Sequence, residues 1–204
     1  MQSDLSENDQ VILAQILGGG QRPTSAYRIT SDVLEDKNYC ESTIRMLIET
    51  ERAAIRQFEA GNPKAAEAML SGIIAQCPLY ASAYNNRAQV YRAGNPTDPK
   101  ALRDLQKAIV LTQPESYLVP RRQAITQKSS YAQLGAIFME MAARTGDDME
   151  AWKLREKASN AWTHAAKFGD PILGALATKV NPHAQLCGGI VEQALQQERR
   201  LCPE

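Results

Sequence analysis

Small and apolar residues recur at helical spacing in two stretches of the chain that also end alike. In each stretch an alanine is followed four positions later by a leucine, and a proline closes the stretch: Ala66, Leu70 and Pro78, then Ala101, Leu105 and Pro114. Residues four apart share one face of an α-helix, and proline ends a helix. The recurrence predicts a repeated helix-turn-helix unit, which is typical of solenoid proteins.

Three units in register carry similar residues at the start of their first helix. These are Tyr84, Arg87, Ala88 and Tyr91 in the second unit, Tyr131, Leu134, Gly135 and Phe138 in the third, and the weaker set Thr50, Ala53, Ala54 and Gln57 in the first. They resemble the tetratricopeptide (TPR) template W-x2-L-G-x2-Y, in which small residues mark close helix crossings. Arg87 departs from the template leucine. The sequence therefore predicts an all-α fold, a TPR-type α-solenoid of three helical hairpins.

Turn and cap residues divide this solenoid into segments. We expect residues 1–30 to hold an N-terminal helix, with apolar positions between 11 and 17, and a linker that contains glycines 18–20. The three hairpins are expected at about 31–80, 81–114 and 115–180, the first with a lead-in helix from Ser31 to Ala60. Residues 181–204 are expected to form a C-terminal capping helix and tail, with Asn181 as the cap. Whether the N-terminal helix docks in the groove of the solenoid or elsewhere stays open.

The third hairpin is expected to be longer than the other two. Gly135 and Ala158 are 23 positions apart, whereas Ala88 and Ala101 in the second hairpin are 13 apart. The additional residues add about eight Å to each of two antiparallel helices. Pro120 suits the start of the first long helix, and residues 145–148 suit the turn between the two helices.

Charge and composition exclude several classes of partner and cofactor. Lys plus Arg and Asp plus Glu both total 23, so the chain has no net field to attract nucleic acid or an anionic membrane. No stretch approaches about 18 consecutive apolar residues, and no basic residue precedes the first apolar run. The four cysteines and two histidines form no metal motif. We therefore expect a cytoplasmic protein with no metal and no cofactor.

Nothing in the sequence indicates a catalytic site. His164 and His183 fall in different predicted elements, and no motif places an acid or a serine nucleophile beside either. We therefore expect no catalytic residue and no enzyme. A structural or self-associating scaffold subunit stays open as the alternative to an adaptor, because solenoid ends and exposed hairpins can pair. The sequence does not give the oligomeric state.

Four blocks, in order along almost the whole chain, resemble the tetratricopeptide repeat protein 36 family. They are residues 8–13 (NDQVIL), 81–89 (ASAYNNRAQ), 165–169 (AAKFG) and 181–187 (NPHAQLC). The resemblance implies a small, three-repeat, non-enzymatic cytoplasmic protein that mediates protein–protein interaction. It also implies a protein or peptide partner, in this family associated with Hsp70-type chaperones.

In a TPR-type solenoid the first helix of each hairpin lines a concave groove. The register places polar residues there, and we expect the partner-binding residues to be Asn85, Asn86, Gln89, Arg92, Arg52 and Gln133. An amide-rich centre can hydrogen-bond the backbone of an extended peptide. The other interpretation is that Asn85 and Asn86 bond the neighbouring helix and hold the superhelix together, since buried amides commonly serve structure.

The same register argues against one mode of chaperone binding. Repeats of the carboxylate-clamp type grip an acidic C-terminus with Lys and Asn in the first unit, Asn in the second, and Lys and Arg in the third. Asn86 resembles the second-unit asparagine, but Glu51 and Ile55 occupy the first-unit places, and Ser129 and Gln133 occupy the third-unit places. Glu51 would repel a carboxylate. We therefore expect weak or absent binding of an acidic C-terminus, and a chaperone contact on another surface.

Overall fold

Seven α-helices, arranged as consecutive helical hairpins, make up most of the residues that the structure describes. The structure is a computed structural model, and it describes residues 26–31 and 34–190. The helices are α1 (Glu41–Glu59), α2 (Pro63–Gln76), α3 (Ala81–Gly94), α4 (Pro99–Leu111), α5 (Arg121–Arg144), α6 (Asp148–Ala166) and α7 (Pro171–Val180). Residues 182–190 are helical as well.

The helices pack in the order of the chain. α1 packs against α2, α3 against α4 and α5 against α6, and successive hairpins contact each other through α2 with α3 and α4 with α5. α7 packs against α6 at the end of the stack. This arrangement confirms the predicted all-α TPR-type solenoid of three helical hairpins.

Prolines and small residues explain why the hairpins turn and cross where they do. Pro63 and Pro99 stand at the start of α2 and α4, where the missing N–H costs no helical hydrogen bond. Ala88 and Ala101 have no exposed surface where α3 and α4 cross. Small side chains at a crossing let the two backbones approach closely. The periodic positions of the sequence therefore form the contacts between paired helices.

The third hairpin is elongated, as predicted. α5 has 24 residues and α6 has 19, compared with 14 in α3 and 13 in α4. α5 begins directly after Pro120, and residues 145–147 separate the two long helices. Asp147 caps α6, because its Oδ1 accepts hydrogen bonds from the backbone N–H groups of Met149 and Glu150.

The predicted lead-in helix does not start at Ser31, because α1 begins only at Glu41. The described residues among 26–40 instead form an irregular segment, here called the strap. Asp36 Oδ1 accepts hydrogen bonds from the backbone N–H groups of Asn38 and Tyr39, at 2.8 and 3.1 Å. Such local bonds offer the backbone an alternative to a helix, which explains why the helix starts later than predicted.

The strap joins the third hairpin to the first. Its β1 strand (Arg28–Ile29) pairs in parallel with β2 (Leu118–Val119), which lies between α4 and α5. The ring of Tyr27 stacks on Phe168 after α6, with ring centroids 4.9 Å apart, and Tyr39 packs on the core of the first hairpin. Strands of two residues are too short to leave an alternating pattern in the sequence, so this pairing could not be predicted.

The C-terminal end contains one helix that the sequence does not predict. Within the range 115–180 expected for the third hairpin, Pro171 begins α7 and Asp170 caps it. Asn181 caps the next helical segment as predicted, because its Oδ1 accepts hydrogen bonds from the backbone N–H groups of His183 and Ala184. The predicted N-terminal helix, glycines 18–20 and the helix beyond residue 190 lie outside the described residues. No helix in the described ranges is long and apolar enough to cross a membrane.

Cys40, which precedes α1, is expected to react with alkylating reagents already near pH 7. Its thiol is exposed, and hydrogen bonds with Ser42 and Thr43 lower its pKa to about 7. The thiolate is the reactive form, so the alkylation rate should rise through this pH. Iodoacetamide rates, measured with the other three cysteines changed to serine, test this. Thr43→Val should move the profile to higher pH, and an identical profile in that variant would contradict the assignment.

Candidate partner-binding groove

A series of polar contacts joins the first helices of the three hairpins, α1, α3 and α5. Its first part centres on Glu51 of α1, which is buried. The Glu51 carboxylate accepts hydrogen bonds from the Tyr80 hydroxyl at 2.7 Å and from the Asn86 amide at 2.9 Å. Arg122 of α5 lies 3.5 Å from the same carboxylate and also donates to the Tyr80 hydroxyl. Burial raises the pKa of Glu51, and the hydrogen bonds and the Arg122 charge oppose that rise.

The second part of the series centres on Asn85 of α3, which is also buried. Its Oδ1 accepts hydrogen bonds from Ser130 Oγ and Gln133 Nε2 of α5, both at 3.0 Å. Its amide donates to Asn86 Oδ1 at 3.2 Å. These bonds agree with the interpretation that both asparagines hold neighbouring helices together. A direct role for them in peptide binding stays a prediction.

Arg92 extends this series along α3. Its Nη1 donates to Gln133 Oε1 at 3.3 Å, while its Nε is buried and has no hydrogen-bond partner among the residues that the structure describes. Burial lowers the pKa of Arg92. The structure thus brings four of the six predicted partner-binding residues together: Asn85, Asn86, Arg92 and Gln133.

The other two predicted residues lie apart from these contacts. Gln89 is exposed and borders an apolar depression. Arg52 is exposed and pairs with Glu49 at 2.6 Å, and it lines a separate depression with Leu34 and Ile48. Arg52 therefore takes part in an exposed ion pair on the surface of α1, of the kind that contributes little to stability.

The depression that Gln89 borders is here called the groove pocket. It is lined by Ala54, Ile55, Phe58, Glu59, Leu70, Asn86, Gln89 and Val90. Ile55 is 41% exposed, although it points an apolar side chain at this depression. The groove therefore combines an apolar pocket between α1 and α3 with a polar surface between α3 and α5. This combination suits a polypeptide that carries both apolar and polar side chains.

Spacing along the chain indicates some members of this site and not others. Ile55 and Phe58 are three positions apart on α1, so the shared face was visible in the sequence. Tyr80 lies just before α3, and Arg122 and Ser130 both lie on α5. No local pattern connects Arg122 or Ser130 to Glu51 or to the asparagines. Among the described residues, no group of three or more His, Cys, Asp or Glu side chains could hold a metal ion.

Comparison with known proteins gives the family of the chain. No family model and no solved structure matches it. Tetratricopeptide repeat protein 36 from Bos taurus is 30% identical over 76% of this chain and 71% of that protein, and its Mus musculus counterpart is 32% identical over 73% and 69%. The L-tyrosine degradation gene cluster protein hmgX of Aspergillus fumigatus is 26% identical over 95% of this chain and 93% of that protein. The chain therefore belongs to the tetratricopeptide repeat protein 36 family, whose TPR-type fold serves protein interaction.

Proposed function

We propose that this chain is a non-enzymatic, cytoplasmic adaptor that holds a protein or peptide partner and associates with Hsp70-type chaperones without a carboxylate clamp. Membership of the family supports the role in protein interaction. The observation that carries the proposal is the hydrogen bond between Asn86 and Glu51, at 2.9 Å.

That hydrogen bond opposes clamp-type binding in two ways. Asn86 is the one residue that resembles a clamp asparagine, and its amide already donates to an internal carboxylate. An incoming carboxylate would have to break this bond and approach the negative charge of Glu51 in a largely buried site. Repulsion between like charges is strong where water is scarce. A chaperone contact on another surface avoids this cost.

A peptide with the acidic C-terminus of an Hsp70-type chaperone is expected to show no micromolar binding in a calorimetric titration, whereas the full-length chaperone is expected to bind. The reason is that Glu51 stands where a clamp has a lysine. Asn86→Ala should leave binding of the full-length chaperone unchanged. Micromolar binding of the tail peptide that is lost in Asn86→Ala would refute the claim that the chain lacks a carboxylate clamp. A full-length chaperone that does not bind would refute the chaperone association.

A second candidate partner follows from the relative in Aspergillus fumigatus. That protein is named for a gene cluster of L-tyrosine degradation, and the similarity covers 95% of this chain. We propose as the second candidate that the partner is a protein of L-tyrosine degradation. Titration of this chain with purified enzymes of that degradation, in parallel with the chaperone, distinguishes the two candidates.

A further inference from the structure

Arg92, next to the groove pocket on α3, is a half-buried cation that has no acidic partner among residues 26–31 and 34–190. Within the described part of the chain, its Nη1 donates to the neutral Gln133, and its Nε has no hydrogen-bond partner. Burial of a charge costs free energy unless an opposite charge or full hydrogen bonding offsets it. The guanidinium therefore has unused capacity to bind an anion.

Two other arginines packed into the stack show the contrast. Arg87, also on α3, contacts Asp104 through two hydrogen bonds of 2.7 and 2.8 Å. Arg122 on α5 lies 3.5 Å from Glu51. Both have a carboxylate supplied by another helix. Arg92 faces the groove side of α5 with no such carboxylate in the described ranges, so a carboxylate from a partner would supply the opposite charge.

The groove pocket begins one helical turn before Arg92. Gln89, three residues earlier on α3, borders the pocket together with Ile55 and Val90. One turn of helix is about 5 Å long, and two residues of an extended peptide span about 7 Å. A single extended segment can therefore place one side chain in the pocket and the side chain two positions away at Arg92.

We propose that the groove binds an internal, extended segment of a partner protein, in which an aliphatic side chain fills the groove pocket and an aspartate or glutamate two residues away pairs with Arg92. This inference rests on the proposed function, in which the groove holds a polypeptide. An aliphatic side chain buries the exposed surface of Ile55, and a carboxylate supplies the charge that Arg92 lacks.

Charge complementarity selects a side-chain carboxylate over a C-terminus. Arg92 offers one unpaired positive charge, whereas an acidic C-terminal residue carries two negative charges. Glu59 borders the pocket from α1, and Glu51 lies behind Asn86. A second carboxylate would approach these two acids, which is unfavourable. Glu59 also repels an acid at the α1 side of the pocket, so the peptide acid is directed toward Arg92.

The test uses the full chain and an array of acetylated, amidated decapeptides with a central leucine and varied neighbours. We expect the bound peptides to be enriched in Asp or Glu two positions from the leucine. Changing that acid to its amide should weaken binding about tenfold, as measured by fluorescence polarisation. Arg92→Met should cause the same loss and remove the difference between acid and amide. Arg103→Met is the matched control, because Arg103 is exposed on α4 and is not among the groove residues, and it should bind as the unchanged chain does.

Gln89→Glu provides a second variant that does not touch the interior. Gln89 is exposed, so the change should leave the fold intact and weaken acidic peptides through repulsion. Bound peptides without acid preference, or an acid preference that survives both Arg92→Met and Gln89→Glu, would overturn the inference and leave groove binding intact. Binding that survives Ile55→Arg, which blocks the pocket, would overturn the groove itself. Peptides that bind only after residues 1–25 are removed, or self-association lost in Arg92→Met, would identify the chain itself as the occupant and also overturn the inference.

Discussion

Replacing Asp104 with alanine is expected to lower the free energy of unfolding by about 3–5 kcal/mol. Asp104 of α4 is buried and accepts two hydrogen bonds from Arg87 of α3, at 2.7 and 2.8 Å. The guanidinium also lies over the rings of Tyr84 and Tyr91, 5.9 and 5.8 Å from their centroids. Without Asp104 the Arg87 guanidinium stays partly buried without an opposite charge, which raises the free energy of the folded state. Urea denaturation followed by circular dichroism measures the loss.

Two variants separate this buried pair from ordinary surface charges. Glu49→Ala removes an ion pair with Arg52 whose side chains are 64% and 63% exposed, and it should cost less than about 1 kcal/mol. The double variant Arg87→Leu with Asp104→Leu should recover most of the stability lost in Asp104→Ala, because an apolar pair of similar volume avoids the desolvation of both charges. A double variant no more stable than Asp104→Ala would contradict this account.

Replacing Gly135 with alanine is expected to lower the free energy of unfolding by about 3 kcal/mol, the upper end of the usual cost of overpacking. A Cβ atom on Gly135 would lie 2.6 Å from Cδ1 and 2.7 Å from Cε2 of Trp162, far inside van der Waals contact. The indole cannot simply move away, because its Nε1 donates to the Ala132 carbonyl oxygen at 3.0 Å. For a chain of this size the change corresponds to a fall in Tm of roughly 6–12 °C, measurable by calorimetry.

Gly72→Ala is the matched control for this change. Gly72 lies inside α2, and a Cβ atom there would meet nothing within 4 Å. Alanine inside a helix is favoured over glycine by roughly 0.5–1 kcal/mol, so Gly72→Ala should raise Tm slightly. Adding Trp162→Leu to Gly135→Ala should cost less than the sum of the two single changes, because the clash is then absent. Equal effects of the two alanine changes would show that the contact with Trp162 does not matter.

The hairpins could be predicted because their signals are local. Ala66 and Leu70 lie one turn apart on the same helix, and the prolines that follow or begin a helix act within a few residues. The added length of the third hairpin is visible in the same way, as a wider separation between Gly135 and Ala158. The strap could not be predicted, because local side-chain bonds and a two-residue pairing outweighed the helical pattern.

The polar contacts of the groove depend on packing between helices and are not visible in the sequence. Arg87 departs from the template leucine, but its compensating partner Asp104 lies 17 positions later on another helix. Glu51 and Arg122 are 71 positions apart. Only the stacking of hairpins brings such pairs together. The sequence therefore predicts candidate groove residues, but not the hydrogen bonds and ion pairs that these residues make with one another.

An open array of hairpins unravels from its ends, because each hairpin contacts only its neighbours. In this chain the pairing of β1 with β2 and the stacking of Tyr27 on Phe168 fasten the entrance of the first hairpin to the third. The strap therefore ties the segment before the first hairpin to the third hairpin. Loss of this pairing should speed the exchange of the first hairpin's backbone amides with solvent.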